Sequence, residues 1–199
     1  MGNIRITGIV GSPRPQKNTD VLVRQALDGC RSAGASVETI YLNKLEIKPC
    51  QAHKVQDGKG CIIRDGMDAI YEIFEASDGL VLGTPVFYNS VSSQMKLMID
   101  RSYCLARAVS LGPGKRKYVT MVKKRKKGIA ISVGGSGTNP DCVLPIFDIW
   151  SKEVNLEIID TLCVSEGQLG KLPMESQETL AAAFKKGQNL VSCLLENSC

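Results

Sequence analysis

Apolar positions along the chain follow two rhythms. Short apolar runs at residues 4–10, 37–41, 80–83, 128–133 and 156–164 read as buried strands. Between them, apolar residues recur at helical spacing over 19–33, 67–76, 91–106, 141–152 and 175–195. The helix expected over 91–106 has Met95, Met98 and Ile99 on one face and Lys96 and Arg101 on the other. A long loop separates the second strand from the second helix, over residues 43–66.

Regular alternation of strand and helix predicts an α/β fold, a three-layer α/β/α sandwich around a parallel sheet. No internal repeat or linker divides the chain, so residues 1–199 are expected to form one domain. Five strands with intervening helices fit the flavodoxin-like order 2-1-3-4-5, whose ligand crevice lies at the carboxyl ends of strands one, three and four. Those ends carry the three loops least like ordinary connectors, at 11–19, 84–90 and 134–138.

The first, Gly11-Ser12-Pro13-Arg14-Pro15-Gln16-Lys17-Asn18-Thr19, joins a strand to a helix. Free backbone N–H groups and the positive helix end favour an anion there. Ser12, Arg14, Gln16, Asn18 and Thr19 are its candidate phosphate-binding residues, with Arg14 offering a planar fork. Neither the nucleoside-triphosphate loop nor the G-x-G-x-x-G dinucleotide pattern is present, so a single terminal phosphate suits it best. An ordinary polar loop with a side-chain N-cap is the plainer reading. The second loop offers Pro85, Val86, Phe87, Tyr88 and Asn89 to a flat ring; the two aromatics could equally be packing residues. The third, with Gly134, Gly135 and Ser136, allows close backbone approach. A phosphate at one end and a ring between two loops is the shape of an FMN site.

Composition narrows this little. Hydrophobic content of 43% and charged content of 23% are ordinary for a globular protein, and neither a membrane span nor a leader is apparent. The eight cysteines sit in a chain with enough apolar residues to form a core without stapling, which predicts mostly free thiols and a cytoplasmic location. The net charge of +5 is concentrated: residues 115–117 and 123–127 supply eight cations within thirteen residues. That run reads as a solvated loop leading into a strand; without interleaved aromatics it predicts no nucleic-acid partner. Attraction of an anionic partner, whether nucleotide, acidic protein or nucleic acid, is the functional alternative.

The segments "GSPRPQKNT", "DGLVLGTPVFYNSVSSQMKLMIDR" and "SVGGSG", with a cysteine-bearing loop after Pro49, resemble the NAD(P)H-dependent FMN reductase superfamily of flavodoxin-like proteins, and most closely its iron–sulfur flavoprotein branch. The resemblance implies that Ser12, Arg14, Asn18 and Thr19 hold the FMN phosphate. It implies that residues 85–89 line the isoalloxazine and that Gly134, Gly135 and Ser136 approach its polar edge. It also implies a homodimer or homotetramer.

The chain departs from the branch at the cysteines. The pattern C-x2-C-x2-C-x4-7-C survives only as Cys50 and Cys61, with His53 and Gln56 at the inner places. A four-iron cluster takes four thiolates, so it is not expected here. A Cys50/His53/Cys61 metal site completed from outside, a redox-active cysteine pair, and a relic of the motif stay open, the relic being favoured. The expected function is an FMN-dependent oxidoreductase that passes electrons from NAD(P)H to a small acceptor such as a quinone or flavin, without a catalytic side chain. The alternatives are an electron-transfer flavoprotein serving a ferredoxin-like partner, and an FMN dehydrogenase for one metabolite.

Overall fold

The computed structural model describes residues 3–52 and 60–196. In chain order its elements are β1 (Arg5–Val10), α1 (Asn18–Ser32), β2 (Ser36–Tyr41), α2 (Met67–Ala76), β3 (Gly79–Pro85), α3 (Ser93–Arg101), β4 (Ala106–Gly112), β5 (Lys115–Thr120), β6 (Lys126–Gly134), α4 (Leu144–Glu153), β7 (Leu156–Ser165), α5 (Glu166–Leu169) and α6 (Gln177–Glu196). A five-stranded parallel sheet runs in the order β2-β1-β3-β6-β7. With the hairpin β4–β5 set aside, this is the expected 2-1-3-4-5 flavodoxin-like arrangement, and helices cover both faces.

Two apolar layers follow from the alternation of side chains along buried strands. Ile6, Val10, Val81, Ile129 and Ile131 pack against α1 and α6 through Leu22, Val23, Ala26, Leu190 and Val191. Ile9, Leu80, Leu82 and Ala130 face the other way, onto α2, α3 and α4 through Ile70, Phe74, Met95, Met98, Phe147 and Trp150. The edge of the Phe74 ring meets Trp150, with centroids 5.8 Å apart.

Three sequence expectations need correction. First, residues 115–120 are not a loop but the second strand of an antiparallel hairpin, β4–β5, turned by Gly112-Pro113-Gly114. Lys126 opens β6 and is buried, its ammonium donating to the carbonyls of Lys124 and Val154 at 2.8 Å each. Second, α3 ends at Arg101 rather than near 106. The Tyr71 hydroxyl donates to the Arg101 carbonyl at 2.8 Å, and the Ser102 hydroxyl to that of Met98, also at 2.8 Å. With its last carbonyls bonded to side chains, the helix tightens into a 3-10 turn over Ser102–Leu105 and gives way to β4. Third, Arg101 is not on a solvent-facing stripe. Its side chain is 1% exposed and ion-paired with Asp65 at 2.6 Å.

The close fit of α1 to α6 rests on two glycines. A Cβ at Gly187 would lie 1.8 Å from the Ala26 carbonyl oxygen, and one at Gly29 would lie 2.0 Å from that of Phe184. The Cys30 thiol donates to the Gly187 carbonyl at 3.3 Å across the same contact. Because backbone rather than side chain is in the way, a methyl group must push the helices apart. Gly187→Ala is therefore expected to lower stability by about 1–3 kcal/mol or more, read as a fall in the urea midpoint.

Candidate functional site

The carboxyl ends of β1, β3 and β6 are neighbours in the sheet, and hydrogen bonds tie their loops together. The Gly11 N–H donates to the Gly83 carbonyl at 2.8 Å. The Ser92 hydroxyl donates to the Gly11 carbonyl at 2.6 Å and accepts from the Met95 N–H at 3.2 Å, so one side chain caps α3 and fixes the first loop. The Ser92 N–H donates to Thr84 Oγ1 at 3.0 Å, and the Val86 N–H to the Val133 carbonyl at 2.8 Å. Gly11 is tightly enclosed: an added Cβ would sit 3.1 Å from both the Gly83 oxygen and Met95, so these neighbours would have to give by a few tenths of an ångström.

The first loop is built around the start of α1. Lys17 is the N-cap and makes no side-chain cap, so the N-cap reading of this loop does not describe it. No backbone or side-chain acceptor among the described residues takes the N–H groups of Asn18, Thr19 and Asp20. The one carboxylate of the first turn, Asp20, is 1% exposed and engaged elsewhere. It accepts from the Gln16 N–H at 2.7 Å and from the Tyr41 hydroxyl at 3.0 Å. Burial and the Asp20 carboxylate together hold the Tyr41 phenol above its ordinary pKa. Gln16 takes a positive φ of 56°, which the bond to Asp20 maintains. Ser12 Oγ accepts from the Arg14 N–H at 3.2 Å, while the Arg14 guanidinium has no partner among the described residues. Asn18 Oδ1 accepts from the Met174 N–H at 3.2 Å, which leaves its amide hydrogens free. The result is a pocket of donors without a carboxylate aimed into it.

The second loop is a tight turn. Phe87 and Ser90 exchange two backbone hydrogen bonds of 3.0 Å, and both Tyr88 and Asn89 between them have positive φ, 51° and 55°. A tyrosine in that region is strained, and strain of this kind concentrates where function requires it. Tyr88 is fully exposed and Phe87 is 40% exposed, so Tyr88 does not pack into the core. In the third loop Gly135 and Ser136 face solvent, while the Thr138 hydroxyl donates to the Gly135 carbonyl at 2.8 Å and holds the turn. Nearby thiols are inert: burial, with Asp141 beside it, pushes Cys163 up to about 12. The structure thus brings together all three groups of expected residues. Ser92, Asp20, Tyr41 and Met174, which position them, were not read from the sequence. Ser92 could have been: it is a serine preceding a helical run, three residues before the N–H that it accepts.

The described flanks of the cysteine loop lie beside α3. Arg101 donates to the carbonyls of Lys48 at 2.9 Å and Ile63 at 3.2 Å, one on each side of the cysteines. Asp65 completes the clamp by accepting from the N–H groups of Lys48 at 2.9 Å and Met67 at 3.0 Å. Cys50 and Cys61 are half-buried free thiols; His53 and Gln56 lie outside the described residues. Among the described residues no three ligating side chains gather for a metal. A donor set of two cysteines is half of what a four-iron cluster requires.

With this geometry in view, comparison with known proteins is decisive at the level of family. A model described as NADPH-dependent FMN reductase matches residues 4–142, well over half of the sequence. The chain belongs to the NADPH-dependent FMN reductase family. Within it, the chain is 36% identical over 134 residues to an iron–sulfur flavoprotein of Methanosarcina thermophila, covering 67% of this chain and 64% of that protein. It spans 63% of a second such relative, so less than two thirds of each is represented here. Solved structures agree on the fold. A flavone reductase superposes with a TM-score of 0.72 at 21% identity, covering 98% of this chain and 64% of that one. An NAD(P)H:quinone oxidoreductase from Methanothermobacter marburgensis gives 0.69 at 13% identity, covering 95% and 98%.

In this family member the Arg101–Asp65 pair yields a test. Burial alone would raise Asp65; hydrogen bonds from Arg101 and from the Lys48 and Met67 N–H groups overcome it and hold the carboxyl below its usual range. A depressed pKa gives stability that is present at neutral pH and is lost as pH falls through the carboxylate range. Asp65→Asn is expected to cost about 3–5 kcal/mol at pH 7, and to flatten the acid side of the stability–pH curve measured by thermal unfolding.

Proposed function

We propose that the three-loop crevice binds FMN and that the protein passes electrons from NAD(P)H to a small acceptor such as a quinone or a free flavin. The observation that supports this most is the start of α1, where the N–H groups of Asn18, Thr19 and Asp20 and the Arg14 guanidinium stand without partners among the described residues. Such a set fits a dianionic monophosphate. In this reading Ser12, Arg14, Gln16, Asn18 and Thr19 hold the phosphate, and Pro85–Asn89 lie along the ring. Gly134, Gly135 and Ser136 supply N–H groups to its polar edge.

Bound FMN would supply the hydride-accepting and electron-donating chemistry. The protein's own part is orientation and access. Ser92 and Gly11 keep the phosphate and ring loops at a fixed separation. The strained Tyr88-Asn89 turn presents an aromatic surface that a ring or a nicotinamide can stack on. No nucleophile or general base is assigned, in keeping with burial that raises the thiols of Cys142 and Cys163.

The second half of the basic run gives no support for a preference for NADPH. Lys123–Lys127 lead into the amino end of β6, nine residues and roughly 30 Å from the crevice at its carboxyl end. The likeness to iron–sulfur flavoproteins favours, as second reading, an electron carrier for another redox protein.

Freshly purified protein is expected to be yellow, with flavin absorption bands and no stoichiometric iron. It should oxidise NADH or NADPH when a quinone is supplied; rapid cycling with a reduced ferredoxin but none with quinones would select the carrier instead. A colourless protein that takes up no FMN would defeat both readings. Arg14→Ala is expected to weaken FMN binding about tenfold to a hundredfold, as for loss of one hydrogen bond to a charged group, measured by fluorescence titration of the apoprotein.

A further inference from the structure

The β4–β5 hairpin has no role in the crevice, and its charge is one-sided. Between Asp100 and Asp141 the chain has ten Lys or Arg residues and no carboxylate. A surface that is merely solvated mixes both signs. Among the described residues, Arg101 pairs with Asp65, Lys124 with Asp78 and Arg125 with Glu157. Arg107, Lys115, Arg116, Lys117 and Lys123 are exposed, with no ion-pair partner among the described residues. The first four of these lie on the hairpin.

The register sorts the ribbon into two unlike faces. Arg107 stands opposite Val119 and Val109 opposite Lys117, so these four residues and Lys115 share one face. Ala108 stands opposite Tyr118, and Ala106 opposite Thr120, on the other. That second face leans on the body of the protein. The ring centroids of Tyr118 and Tyr103 are 6.3 Å apart, and the Thr120 hydroxyl donates to the Glu153 carbonyl at 2.6 Å. The face with Arg107, Lys115 and Lys117 is thereby turned outward, its cations set around two valines. At the far end the ladder is interrupted between Ser110 and Gly112. Leu111 falls outside the pairing there, 63% exposed beside the Gly112-Pro113-Gly114 turn.

We propose that this hairpin docks the protein on a surface of anionic phospholipid, with the Arg107, Lys115 and Lys117 face against the headgroups and Leu111 entering the boundary with the acyl chains. Among the described residues no helix is long and apolar enough to cross a membrane, so the attachment is to its surface. Lysine and arginine stems cover apolar side chains while their charges reach outward to phosphate. One exposed leucine at an uncharged turn, with cations in the residues just behind it, suits a medium that is apolar beneath a layer of negative charge. A nucleic acid would be gripped by aromatics set among the cations, whereas Tyr118 stands on the opposite face. A stable protein interface covers an area well beyond one narrow ribbon. This proposal does not rest on the flavin reading and stands or falls on a separate measurement.

Cosedimentation of the purified full chain with lipid vesicles tests it. Wild type is expected to bind vesicles of equal parts phosphatidylcholine and phosphatidylserine, to ignore phosphatidylcholine alone, and to be released by high salt. K115E/K117E is expected to weaken binding at least about tenfold, while K115R/K117R retains it. Leu111→Trp places a reporter at the tip. Its emission should shift to the blue on the phosphatidylserine vesicles and be quenched by brominated acyl chains, which contact through charge alone would not produce. The far-ultraviolet circular dichroism of each variant should match that of wild type, because the substituted side chains are exposed. Wild type that binds both kinds of vesicle alike, charge reversal without effect, or a tip reporter that stays in water overturns the proposal. So does wild type that binds neither vesicle and is instead retained by DNA or by an acidic protein.

Discussion

The contact on which the crevice depends is the approach of α3 to the end of β1. Gly11 donates to β3 through its N–H and accepts from the N-cap of α3 through its carbonyl. The two loops that would grip opposite ends of a ligand are thereby fixed to one peptide unit on each side. Glycine suits the position, since a Cβ there would press within 3.1 Å of the Gly83 carbonyl and Met95. A shift at Gly11 would move the donor pocket and the aromatic turn together, which is how a rigid sheet positions a site made of loops.

What could be read in the sequence was whatever local chemistry dictates. The five sheet strands were legible because parallel strands buried on both faces are nearly continuous apolar runs. The three crevice loops were legible because their residues make poor connectors: glycine in series, paired aromatics, hydroxyls with an arginine. The hairpin was not. Its strands are short and exposed, their alternation is interrupted by Ser110 and Gly112, and lysine-rich spelling reads as a loop at any single position. Arg101 was misplaced for another reason. Helical periodicity assigns an arginine to solvent, and the carboxylate that keeps it buried, Asp65, lies 36 residues away and reaches it only through tertiary structure.

That ion pair also changes how the degenerate cysteine motif is to be understood. The shoulders of the loop are held by two carbonyl acceptors and one carboxylate, all converging on a single guanidinium. The framework that would present ligands at a fixed spacing is therefore maintained by Arg101, whatever occupies the inner positions. A scaffold that is independent of its ligands permits their loss without loss of the fold.

The glycine contact between α1 and α6 bears on how the chain is divided. The family match stops at residue 142, yet α6 begins at residue 177 and lies so close to α1 that their backbones touch. The helix that would hold the phosphate is thus roofed by a segment that the family pattern does not describe. Removing the unmatched third would uncover Leu22, Ala26 and Cys30 to water and strip the support from the back of the anion pocket. The boundary of sequence similarity and the boundary of physical cooperation are different lines in this molecule, and the donor end of the crevice depends on the second.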